Sequence, residues 1–253
     1  MCNKAAARYT PPDLDQSRFS RVDSSLELPR RHIAPTTPIP AIVNRPSSGR
    51  VLTSLRWGNP ATPYSTTNAR DDRLDSAPTW KGLLASPTGR CIIVVSAIFE
   101  PFDKKTLAAV GEAAAIKALG GAVVQAAKKD TVWHRGHLKD NTPFGIAGLA
   151  GKAGDVDWGA MATVPATARM AEIHRPVKSP AEGRQVAYLP PKLWDAWLDP
   201  VGHPDWHDVL MEGQARSSDI HLSLVPMGAM KKTAGPDEMF QTWTPPRGQG
   251  TLF

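Results

Sequence analysis

A chain of 253 residues that is 41% hydrophobic and 21% charged has material for a sizeable core and is not a disordered tail. Its net charge of +6 and pI near 9.4 suit a polyanionic partner such as nucleic acid. Two cysteines exclude a disulfide framework, and no apolar run approaches the roughly 18 residues of a membrane span.

In chain order, the first notable residue is Cys2. Removal of Met1 would leave it with an α-amine and a thiol on adjacent carbons. Both have reference pKa values of about 8, so each is partly deprotonated near neutral pH. An aldehyde meeting that pair forms an imine with the amine, and the thiol then closes a five-membered thiazolidine. Residues 10–24 predict a short helix with Leu14 and Phe19 as apolar contacts. Pro35, Pro38 and Pro40 forbid a helix and demand extended chain ending in the apolar strand Ile39–Val43. Asn44 to Gly49 is a turn, and Arg50 to Trp57 is the partner strand of a hairpin.

A polar loop ends in Asn68-Ala69-Arg70, and a short helix opens at Pro78 and runs to residue 85. Arg90 to Glu100 reads as one continuous strand ending on a lone carboxylate, with Cys91 in its apolar core. The alanine-rich stretch 104–129 predicts one or two helices broken at Gly120-Gly121. Asn141 to Leu149 returns to strand. Leu189 to Leu198 is a proline-started helix with Leu193, Trp194 and Trp197 on its core side. Beyond Asp199 no period is clear, and the tail from Thr242 reads as flexible. The expected fold is α+β: one domain over residues 2–240, a mostly antiparallel, barrel-like sheet flanked by short helices. The alanine-rich segment is a helical insertion, and 241–253 is a tail.

Taken together, Cys2, His32-Ile33-Ala34-Pro35-Thr36-Thr37-Pro38-Ile39-Pro40, Leu55-Arg56-Trp57-Gly58, Thr66-Thr67-Asn68-Ala69-Arg70, the strand to Glu100, Pro143 to Leu149, Glu172-Ile173-His174-Arg175-Pro176 and Leu189 to Pro200 resemble the SOS-response-associated peptidase (SRAP) family. The motifs keep their order and spacing over residues 2 to about 200. The resemblance implies covalent capture of abasic sites in single-stranded DNA through the N-terminal cysteine, after self-removal of Met1. It implies Cys2 as nucleophile and Asn68 as a hydrogen-bonding group for the sugar remnant or α-amine. It implies Glu100 as the acid/base and His174 as a proton donor or acceptor during ring opening. General acid–base chemistry needs such groups within hydrogen-bond reach. Lys4, Arg70 and Arg175 are the expected phosphate contacts, and Trp57 a candidate base-stacking surface. Taken singly, Glu100 also reads as a strand-end charge, Asn68 as a turn residue and Trp57 as core.

The sequence departs from the family pattern at Asn3 and Lys4, at Asn59, at Pro101 after Glu100, around His174, and in the insertion 104–129. No cofactor is expected, and zinc is not implied. Two other readings share these residues: an N-terminal-nucleophile cysteine peptidase or amidase, and a non-catalytic single-stranded DNA-binding module. A cytoplasmic, nucleoid-associated location follows as an expectation, with no membrane partner. The peptide Gln249-Gly250-Thr251-Leu252-Phe253 resembles the short motif that docks bacterial repair proteins on the sliding clamp. Gln249 would bond at the pocket rim, and Leu252 and Phe253 would fill it.

Overall fold

The computed structural model describes residues 4–62, 66–173, 183–201, 205–231, 234–235 and 237–245. The chain opens with β1 (Lys4–Ala7), then two 3-10 turns at Pro11–Asp13 and Gln16–Arg18 in place of the expected helix. Asp15 accepts from the Ser17 amide, a local bond that competes with helix continuation. Leu14 and Phe19 are nevertheless buried, as the apolar pattern requires. The short β2 (Arg21–Val22) and β3 (Arg30–Ile33) precede a hairpin of β4 (Pro38–Arg45) and β5 (Gly49–Trp57). Its turn closes through Gly49, whose φ of 66° lies in the left-handed region that glycine enters without strain.

Next come β6 (Asn68–Arg70) and α1 (Pro78–Ala85), which begins on the proline that pre-sets its first turn. The expected single strand from Arg90 is two: β7 (Arg90–Val95) and β8 (Ala97–Phe102), parted at Ser96. Ser96 donates its backbone N–H to the Ala6 carbonyl, and its Oγ accepts from the Arg8 amide. At this point the chain leaves one sheet and enters another. Hydrophobicity runs unbroken through the crossing because both strands are buried, so periodicity alone could not mark it.

The alanine-rich segment forms three helices, not one or two: α2 (Lys104–Val110), α3 (Glu112–Leu119) and α4 (Gly121–Ala127). The extra break falls at Gly111, which, like Gly120, has a positive φ, of 83° and 85° respectively. The remaining elements are β9 (Val132–His137), β10 (Phe144–Ala153), β11 (Val156–Pro165), α5 (Ala168–Ile173), β12 (Arg184–Val186) and β13 (Tyr188–Leu189). They are followed by α6 (Trp194–Leu198), α7 (Trp206–Ala215) and β14 (His221–Leu224). The last two lie where the sequence showed no clear period.

Two sheets result. In the larger, β10, β7, β4 and β5 lie side by side, and β11 pairs with both β10 and β5, which closes a ring. β2, β6, β12 and β13 attach to its members. The smaller sheet has the order β14-β9-β8-β1-β3. The fold is therefore α+β with a ring-like main sheet, in line with the expected α+β, barrel-like architecture. The main core fills the ring and the space around it with fully buried Ile39, Ile42, Leu52, Leu55 and Trp57, among others. Each such aliphatic side chain contributes about 1.5–3 kcal/mol when buried.

Cys91 belongs to this core, fully buried, and burial pushes its thiol well above the ordinary range. Gly148 stands directly opposite Cys91, and a Cβ there would come within 2.8 Å of the Cys91 sulfur. Trp194 and Trp197 are core residues as expected, and the Trp197 indole donates to the Cys91 carbonyl at 3.0 Å. Ordered contacts continue past residue 240: the Trp243 amide donates to the Leu224 carbonyl at 2.8 Å. Among the described residues no helix is long and apolar enough to cross a membrane.

Candidate active site

The site is organised by the smaller sheet. β1 runs antiparallel to β8 with Lys4 opposite Phe99, Ala5 opposite Ile98 and Ala6 opposite Ala97. The strand that begins two residues after Cys2 therefore starts beside Glu100. Glu100 is buried, with 3% of its surface exposed, and it is followed by two further strand residues. It is not the end of the strand that the sequence suggested. Directly opposite it on β9 stands His134, also buried.

Strand alternation divides the residues of this sheet between two faces. Ala5, Ile33 and Ile98 belong to the main core cluster, whereas Ala6, Ala97 and Phe99 pack on Val225, Ala229, Met230 and Met239. Glu100 is two residues from Ile98 and shares its face, the one turned toward the larger sheet. Lys4 lies on the other face, and its ammonium sits 4.6 Å from the centre of the Trp133 ring. Partial burial lowers the Lys4 pKa below the ordinary lysine value. Next to it, His32 is exposed on β3, and its pKa is lowered first by partial desolvation and then by the charges of Lys4 and Arg31.

Asn68 and its neighbours are carried by the other sheet. β6 runs parallel to β11, with Asn68 paired to Met161 and Arg70 to Thr163. Asn68 is half-buried, and its amide nitrogen donates to Thr67 Oγ1 at 3.0 Å. Arg70 is exposed and forms a two-pronged pair with Asp72, Nε to Oδ1 at 2.9 Å and Nη2 to Oδ2 at 2.6 Å. Below this turn, Arg184 is buried and donates to both Asp71 and the Thr163 carbonyl. That pair ties the end of β6 to β12 across β11.

One expected role is corrected. Trp57 has none of its surface exposed, and its indole N–H donates to the Thr67 carbonyl at 3.0 Å. A base has no access to that ring; Trp57 is core, holding the segment that leads to Asn68. Cys2, His174, Arg175 and the clamp-like peptide with Gln249, Leu252 and Phe253 lie outside the described residues. β11 nevertheless leads through Pro165 into α5, whose last residue, Ile173, directly precedes His174.

The chain thus brings the start of β1, Glu100 and His134 together on one sheet, and it hangs Asn68 and the approach to His174 from a single strand of the other. Sequence reasoning alone does not place His134 in this group. The alternation of Trp133-His134-Arg135-Gly136-His137 signals a strand, but nothing in it identifies Glu100 as the cross-strand partner. Among the described residues no group of three or more His, Cys, Asp or Glu is arranged to hold a metal ion.

The family model described as SOS response associated peptidase (SRAP) matches residues 1–227. The chain belongs to the SRAP family, which is associated with the response to DNA damage. It is similar in fold to a crystal structure of a Bordetella bronchiseptica protein, at 23% identity and a TM-score of 0.60, covering 83% of this chain and 93% of that one. A phage-related protein from the same organism shares 19% identity with a TM-score of 0.62 over 89% of this chain and 94% of that one. A Bacteroides thetaiotaomicron protein shares 14% identity with a TM-score of 0.62 over 96% and 99% of the respective chains. No curated protein matches it.

Proposed function

We propose that this protein captures abasic sites in single-stranded DNA as a thiazolidine on Cys2, once Met1 has been removed. The observation that carries the reading is the register of β1 on β8, which starts the chain's first strand beside the buried Glu100. Hydrolysis of the Met1–Cys2 peptide bond consumes one water and releases methionine. The freed amine attacks the C1 aldehyde of the ring-opened sugar to give a carbinolamine, which loses one water to form an imine. The Cys2 thiol then adds to the imine carbon and passes its proton to the nitrogen. The product is a ring with no further leaving group.

Each of those steps moves a proton. Glu100 takes one from the attacking amine and returns it to the departing hydroxyl, while His174 serves the opening of the sugar. Asn68 holds the sugar hydroxyls or the amine by hydrogen bonds. A buried carboxylate suits this work, because hydrogen bonds and charges act more strongly where water is excluded. The basic balance of the chain supplies attraction to the phosphate backbone, with Lys4, Arg70 and Arg175 as contacts.

The test is a denaturing gel after incubation with single-stranded DNA carrying one abasic site. A covalent band is the expected result. Retained binding with no band would favour the non-catalytic DNA-binding module. Cleavage of unrelated peptides with no band would favour the N-terminal-nucleophile peptidase.

A further inference from the structure

A cavity of about 530 Å³ opens between β8 and β14 of the smaller sheet on one side and α5, β12, β13 and α7 on the other. Ile98 contributes from β8, Met170 from α5, Val186 and Tyr188 from β12 and β13, and Met211 from α7. It thus lies between the strand that carries Glu100 and the helix that leads to His174. Ile98 and Glu100 share a face of β8 two residues apart, a separation of about 7 Å along the strand. Gly136 stands opposite Ile98, and a Cβ there would meet the Ile98 side chain at 2.9 Å and Ile220 at 3.3 Å, so the placement of these two lining side chains depends on the glycine.

The lining has a definite chemistry. Its apolar walls include two thioethers and a tyrosine ring, groups that take the flat face of an aromatic heterocycle. Among the described residues no carboxylate lines it, and the one charged side chain is Arg169, exposed at the rim. An aromatic body joined to an anion is the ligand these walls and this rim fit, and the volume falls within the usual 300–1,000 Å³ of small-molecule sites, about the scale of a nucleoside.

We propose that this cavity receives the nucleobase next to the abasic sugar. The inference rests on the abasic-capture reading and names a subsite of that substrate. The base would lie against the half-buried Met211 and the small part of Met170 and Tyr188 that the cavity leaves exposed, while its phosphate lies toward Arg169. Seating it would fix the strand so that the missing-base position falls beside Glu100. The protein would then read what flanks the lesion as well as the lesion itself.

The experiment uses fluorescence anisotropy with short single-stranded oligonucleotides carrying a tetrahydrofuran spacer, an unreactive abasic mimic. In one the spacer has natural bases on both sides, and in the other its neighbours are also spacers. The wild-type protein should bind the first more tightly by roughly five-fold or more, the lower end of what stacking one base contributes. Met211→Trp fills the cavity and should abolish the difference. Ala215→Trp, at the exposed lip, should do the same without touching the core, and thermal melts report whether each variant is folded. Equal binding of the two oligonucleotides by the wild type overturns the proposal, as does a difference that survives in both folded variants. The covalent gel is scored separately. A crosslink without neighbour dependence removes the cavity and leaves the capture reading standing. Neighbour dependence lost on filling, without any crosslink, does the reverse.

Discussion

Glu100 and His134 stand directly opposite one another on β8 and β9, both buried and on the face turned toward the larger sheet. Directly opposed residues of an antiparallel pair have Cβ atoms about 4.5–5.5 Å apart, so the carboxylate and the imidazole are within reach of each other. Glu100→Gln should therefore slow both Met1 removal and crosslinking by about 10²–10⁴-fold, the usual range for a general acid–base group. His134→Asn should cost less and should shift the pH profile of the rate, because it acts through the carboxylate. Single-turnover crosslinking across pH checks both. A loss below a few-fold for Glu100→Gln would remove it from the chemistry.

Cys2→Ala should abolish crosslinking while leaving binding to single-stranded DNA largely intact, since the phosphate contacts lie elsewhere. Cys2→Ser keeps the amine and loses ring closure, so it should give at most an imine that borohydride traps. Intact mass should show a protein lacking Met1. A homogeneous species that retains Met1 and still crosslinks fully would sink the mechanism.

Arg70 is engaged by Asp72 through two short hydrogen bonds, which also raise the arginine's pKa above its ordinary value. A phosphate must compete with that carboxylate. Arg70→Ala should reduce the slope of log affinity against log salt by about 0.7, the value for one phosphate contact on a single strand. Asp72→Ala should instead tighten binding by releasing the guanidinium. Salt titrations of the two variants and the wild type decide the matter: unchanged slopes would exclude Arg70 from the contact.

Asp71 and Arg184 form a buried ion pair that anchors the turn after β6. Arg184→Met strands a buried carboxylate, and breaking such a pair costs about 3–5 kcal/mol. The double variant Asp71→Leu/Arg184→Met should recover much of the loss. Chemical denaturation measures this. A single variant as stable as wild type would show that the pair contributes nothing.

His32 should titrate below its ordinary value of 6.5, because partial desolvation and the nearby Lys4 and Arg31 charges disfavour the imidazolium, although the ring is exposed. Lys4→Ala should move it only part of the way back, partial desolvation being the largest cause. The sign for stability follows: His32 stays neutral in the folded chain while the unfolded chain takes up a proton first. Its contribution is therefore present above about pH 6.5 and is lost as the pH falls through the depressed folded value. An imidazole NMR titration reads this directly, and a midpoint at or above 6.5 would refute it.

Much of the architecture was legible in the residues because it rests on local rules. The prolines of 35–40 impose extended chain, Pro78 starts its helix, and Leu193, Trp194 and Trp197 mark a buried face, all through steric and apolar patterns that act within a few residues. The motifs also pointed to Glu100 and Asn68 as candidates, by type and order. What depended on long-range packing was not legible. The passage of the chain from one sheet to the other at Ser96 is hidden inside an unbroken apolar run. The burial of Trp57, the pairing of Glu100 with His134 and the tie between Asp71 and Arg184 each join residues from 10 to 113 positions apart. Only strand register decides such partners, since a shift of one residue turns every side chain to the opposite face of the sheet.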